Sequence, residues 1–180
     1  MLESSRRILL TPSRAVFELN AAHANLGRAI IFAAGIGMIA GVIGSTINLF
    51  SADGSLGDIV VRAMFYAMGF VAALLVTQVV IHGMARATGG PGAFESQVYL
   101  ASLYAVPLNF VAIFGLALNN FWSGLGFVIA FAVVLYQVVL TVPMLRAVHG
   151  VEWRVSHWLV ILIAVVGNLV GGGIGAILPQ

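Results

Sequence analysis

The 180-residue chain contains no cysteine and no lysine, and charged side chains make up only 8% of it. Without cysteine there is no disulfide, no thiolate nucleophile and no cysteine-ligated metal. A typical soluble domain is about 25% charged, and fourteen charged side chains cannot solvate the surface of a compact 18.9 kDa globule. A water-soluble fold is therefore excluded. The net charge of +2 is too small and too scattered for a nucleic-acid-binding patch, so no nucleic-acid partner is expected.

What the chain has instead is apolar length. Hydrophobic residues make up 61%, and the mean hydropathy is +1.08. A bilayer core about 30 Å thick takes roughly 20 helical residues per crossing, so 180 residues have room for four to six. The ~10-residue alternating segments of a membrane β-barrel do not occur. The expected class is all-α, a polytopic membrane protein with the bilayer as its first partner.

Charges punctuate the chain. The runs Ala29–Ala52 and Ala63–Ala85 are each long enough for one span, and Val155–Gln180 gives another. From Ser96 to Leu145 lie 50 residues without a formal charge, too many for one helix. That run breaks at Asn119, Asn120, Phe121, Trp122, Ser123 and Gly124, where turn formers meet an interfacial tryptophan. Five spans result, near 29–50, 63–85, 98–118, 124–145 and 156–178. They form one transmembrane domain, 28–180, behind a leader at 1–27. Within the leader, Thr11 as N-cap and Pro12 at the first helical position predict a short amphipathic helix over 12–24, lying in the membrane interface. Its apolar side would be Ala15, Val16 and Leu19. The apolar run Ile8–Leu10 is too short for a signal peptide.

Seven of the eight arginines (Arg6, Arg7, Arg14, Arg28, Arg86, Arg146 and Arg154) fall on one side of this five-span arrangement. Arg62 is on the other, with Asp53 and Asp58. The positive-inside rule then puts the N-terminus in the cytoplasm and the C-terminus outside. Arginine-only usage with abundant glycine and alanine fits a high-GC prokaryotic coding sequence and hence a prokaryotic plasma membrane.

Ionisable residues inside a bilayer mark function because burying them is costly, and no Asp, Glu, Arg or His falls mid-span. Proton relays, voltage sensors and charge-coupled transporters lose their usual hardware. His82, His149, His157, Glu95 and Glu152 gather toward the cytoplasmic side, but without an HExxH or other short paired-ligand spacing. They read as interfacial side chains, and no metal, cofactor or enzymatic activity is expected. Asn48, Thr77, Gln78, Asn109, Gln137, Thr141 and Asn168 are the mid-span polar groups, expected to pair across helices. Pro107 and Pro143 should each kink a span. Gly37 and Gly41 form one GxxxG, and Gly167, Gly171 and Gly175 form two in tandem. Such spacing lets helix backbones approach closely.

One segment carries more. His82 closes the second span, a Gly89-Gly90-Pro91-Gly92-Ala93-Phe94 loop follows, and Pro107 sits within the next span. This pattern resembles the Yip domain family, membrane proteins named for their interaction with Ypt/Rab GTPases. Arg7, Pro12 and Phe17 ahead of the first span are similar to the family's leader. The resemblance implies five spans, a cytoplasmic N-terminus and, in eukaryotic members, a role in vesicle formation and Rab binding. In a prokaryotic setting no Rab partner is expected. The leading functional expectation is a non-enzymatic protein that organises membrane or partner proteins, either other membrane subunits or a second copy of itself. The alternatives are an accessory subunit of a respiratory or photosynthetic complex, and a small permease or channel for a neutral solute along Asn109, Gln137 and Asn168.

Overall fold

A computed structural model describes residues 1–49, 56–118, 122 and 124–152. All described secondary structure is helical: α1 (Leu2–Leu10), α2 (Arg14–Ala21), α3 (Leu26–Leu49), α4 (Leu56–Ala87), α5 (Phe94–Leu118) and α6 (Leu125–His149). Four of these, α3 to α6, are long and apolar enough to cross a membrane. The fifth expected span, with His157, Asn168, Gly167, Gly171 and Gly175, lies outside the described residues, as does the side chain of Asn48.

The helix ends follow local chemistry. Asn25 Oδ1 accepts from Arg28 N at 2.9 Å at the start of α3. The second long helix begins at Leu56 rather than near 63, so Asp58 and Arg62 are helical. Charge ends the apolar span there but not the helix, and Asp58 in the first turn is favourable beside the positive end of the helix dipole. At 1.5 Å per residue α4 is about 48 Å long, well beyond a 30 Å core. Helices α5 and α6 run on through Pro107 and Pro143, each of which removes one backbone donor from its helix.

The leader differs from its expectation. Helix α2 stands where one over 12–24 was expected, and α1 precedes it as a second. Thr11 closes α1, its hydroxyl donating to Arg7 O at 2.9 Å, and Ser13 caps α2 by accepting from Val16 N at 3.3 Å. Pro12 lies between them, where its missing N–H costs nothing. The buried side of α2 is Phe17 and Asn20, while Ala15 and Leu19 are exposed. That side is set by docking, because α2 packs on α5 and α6 rather than turning its aliphatic residues inward.

Helix α5 sits at the centre, touching α1, α2, α3, α4 and α6. Every residue from Gln97 to Tyr104 is buried. A helix enclosed all round has no amphipathic stripe to read. The outer faces are apolar: Val61, Phe65, Met68 and Val76 on α4, and Phe127, Phe131 and Leu135 on α6, are exposed. In water such a surface would be a liability. Against lipid tails it costs nothing.

Candidate functional site

The site begins where α4 stops. Gly89 takes φ +87°, a left-handed conformation glycine adopts without a Cβ penalty. Its N–H donates to Arg86 O at 3.0 Å, and the next, Gly90 N–H, donates to Ala85 O at 2.9 Å. These are the two bonds of a Schellman cap, and Thr88 Oγ1 adds a third to Ala85 O at 2.9 Å. The loop then lies directly on the end of α6. A Cβ on Gly90 would stand 2.8 Å from His149 Cβ, and one on Gly92 would stand 2.8 Å from His149 Nδ1 and strike the carbonyl of Val148. Only hydrogen fits there.

The loop delivers the chain into α5, whose first turns carry the centre of the site. Gln97 is fully buried. Its Nε2 donates to Gln78 O at 3.0 Å and to Gln78 Oε1 at 2.9 Å. Its Oε1 accepts from His82 Nδ1 at 3.2 Å and from His149 Nε2 at 2.7 Å. The amide orientation follows from chemistry, since the Gln78 carbonyl only accepts and so must face the NH2. All four hydrogen-bonding positions of the side chain are then filled. One amide thereby joins three helices: α4 through Gln78 and His82, α5 itself, and α6 through His149. The His82 ring stands edge-on to Phe94, centroids 5.4 Å apart, and 5.2 Å from the His149 ring. His149 Nδ1 is buried and makes no hydrogen bond of normal geometry. Facing the glycines of the loop, it fits a neutral imidazole whose single proton is on Nε2.

Beside this knot, Glu95 Oε1 accepts from Leu26 N at 3.0 Å, so a side chain of α5 caps the start of α3. Deeper in the bundle, Gln137 Nε2 donates to Asn109 Oδ1 at 2.7 Å. Tyr104 and Thr141 hydroxyls meet at 3.0 Å, and Thr141 also donates to Gln137 O at 2.8 Å. Thr77 is exposed. Among the described residues no three histidine or carboxylate side chains gather as a metal-binding group.

The motif residues His82, Gly89, Gly90, Gly92 and Phe94 thus come together at one end of the bundle, while Pro107 lies more than three turns away along α5. Gln97, which the sequence did not single out, and His149, read there only as an interfacial side chain, complete the cluster. The glycine pair Gly37 and Gly41 makes a separate feature. A Cβ on Gly37 would come 2.8 Å from Ala67 Cα, and one on Gly41 2.6 Å from Ala63 Cα. Here α3 and α4 touch backbone to backbone.

Membrane-length apolar helices, lipid-like outer faces and polar groups tied inside the bundle define a multi-pass integral membrane protein. The family model described as the Yip1 domain matches residues 6–174, and the chain belongs to that family. No curated protein and no solved structure matches it.

Proposed function

We propose that this protein is a non-enzymatic membrane organiser of the Yip1 domain family, acting through its lipid-facing helices and the loop between α4 and α5. In this reading the loop and the leader face the cytoplasm, and the partners are lipid and other membrane proteins or a second copy of the chain. One observation carries it. Amide and hydroxyl side chains within the bundle pair across helices, Gln97 with Gln78, Tyr104 with Thr141 and Gln137 with Asn109. A solute path along Asn109 and Gln137 would have to compete with the 2.7 Å bond that already joins them. Polar groups used this way rigidify a shape, and the shape they hold presents Thr88 and Pro91 at the exposed tip of the loop.

The test uses photo-crosslinking amino acids at Thr88 and Pro91 in native membranes, with liposomes holding the purified protein in parallel. Discrete protein adducts from the loop and liposomes tight to glycerol are the expected results. A loop giving no adduct, together with protein-dependent glycerol release, would replace this reading with the permease.

A further inference from the structure

His149 ends α6 beyond Arg146, past the charge-free run from which the span was read. It is 2% exposed, and its Nε2 proton is spent on Gln97 Oε1 at 2.7 Å. His82 Nδ1 spends its proton on the same oxygen at 3.2 Å, and a carbonyl oxygen has two lone pairs to receive both. One bare nitrogen is left on each ring. On His149 it is Nδ1, directly under the loop. A Cβ on Gly90 would stand 3.0 Å from it and one on Gly92 2.8 Å, while Pro91 between them is exposed. The loop is the cover between this nitrogen and the outside.

The knot is built for neutral imidazoles. A second proton on His149 would enter at Nδ1, and charge in a buried site is costly. Among the described residues, the titratable groups that act on it are His82 and Arg86, both on α4 and both positive when charged. The His82 ring is 5.2 Å away. From α5 it meets the neutral Gln97, while the carboxylate of that helix, Glu95, is engaged with Leu26 N. Arg146 and Glu152 flank it along its own segment, and the loop carries no ionisable side chain. The Gly90 backbone favours the added charge, but burial and His82 rank ahead of it.

We propose that His149 is an acid-opened latch for the loop between α4 and α5: neutral, it seats the loop; protonated, it lifts Pro91–Ala93 and changes how the tip meets a partner. Lifting admits water to Nδ1 and removes the cost of burying the charge. Gly89 and Gly90 stay bonded to the end of α4, so neither helix has to unwind.

The inference rests on the membrane-organising reading only for its consequence, because loop motion is measured without a partner. A flat pH response would leave the crosslinking result standing, and a loop without adducts would leave the pH response standing. The chain has no cysteine, so a nitroxide can be placed on Pro91→Cys or Ala93→Cys, both at exposed positions, in phosphatidylcholine vesicles. The mobile part of the spectrum should grow several-fold, reversibly, as pH falls from about 7.5 to about 5, the range in which imidazoles take up protons. One linked proton sets a ceiling of about tenfold per pH unit. His149→Gln and His149→Asn keep an amide donor toward Gln97 but cannot be charged, and should abolish the response. His23→Gln, on an exposed leader residue, should keep it. A spectrum that does not change with pH in the otherwise unaltered protein, or a response that survives in either His149 variant, would overturn the latch.

Discussion

Gln97 is the residue on which the charged end of the bundle closes. Removing its amide takes a partner from three side chains at once, Gln78, His82 and His149. A buried polar group left without a partner costs about 1–3 kcal/mol. Gln97→Leu, close in volume, should therefore lose more than about 2 kcal/mol and lower the melting temperature in detergent. Thr77→Leu, at an exposed position, should change it little. Equal melting points for the two variants would mean that the knot carries no stability. The sequence hid this residue for a physical reason. Gln97 stands two positions from Glu95, so it reads as part of a solvated interface, and only the loop folding back brings His82 and His149 onto it. His82 and the glycines were legible through the resemblance to the Yip domain pattern, and the structure supplies the physical reason for the glycines, a left-handed turn at Gly89 and close approaches at Gly90 and Gly92. Their common target was not.

At the scale of elements, the seam between α3 and α4 depends on two missing side chains. Gly41→Leu would drive a side chain into the backbone of Ala63, and overpacking of this kind costs about 1–3 kcal/mol. Gly35, on the same helix, has nothing within 4 Å of its would-be Cβ, so Gly35→Leu should be tolerated. Melting temperatures of the pair check the seam, and a Gly41→Leu protein as stable as Gly35→Leu would remove it. Spacing alone identified the glycine pair, but not the partner helix. The leader was the least legible element. Ala15, Val16 and Leu19 suggested a side turned to the membrane, but the side turned to the protein, where Phe17 reaches Tyr104, was not read. Helix periodicity could not reveal this, because α5 is buried on every side from Gln97 to Tyr104 and offers no single face to read.

Across the whole molecule, apolar length and charge spacing were enough to read an all-helical membrane protein. Long charge-free runs have no stable alternative in lipid. The ends of α4 were less legible, because helices outlast their apolar cores where a carboxylate meets the first turn. The arginine bias makes a topology prediction that concerns every element at once. Reporter domains inserted between Arg86 and Glu95 should be active in the cytoplasm, and those fused after Gln180 outside. The reverse pattern would invert the molecule, and activity of both on one side would remove the fifth crossing.

The bond between Leu9 and Tyr136 spans 127 residues, which gives it a place in time as well as in space. A ribosome adding about 5–20 residues per second makes Tyr136 roughly 6–25 s after Leu9. Throughout that interval the leader helices exist without the surface on α5 and α6 that receives them. The leader is thus made well before the surface that seats it, and its own caps, Thr11 on Arg7 O and Ser13 on Val16 N, hold its helix ends in the meantime.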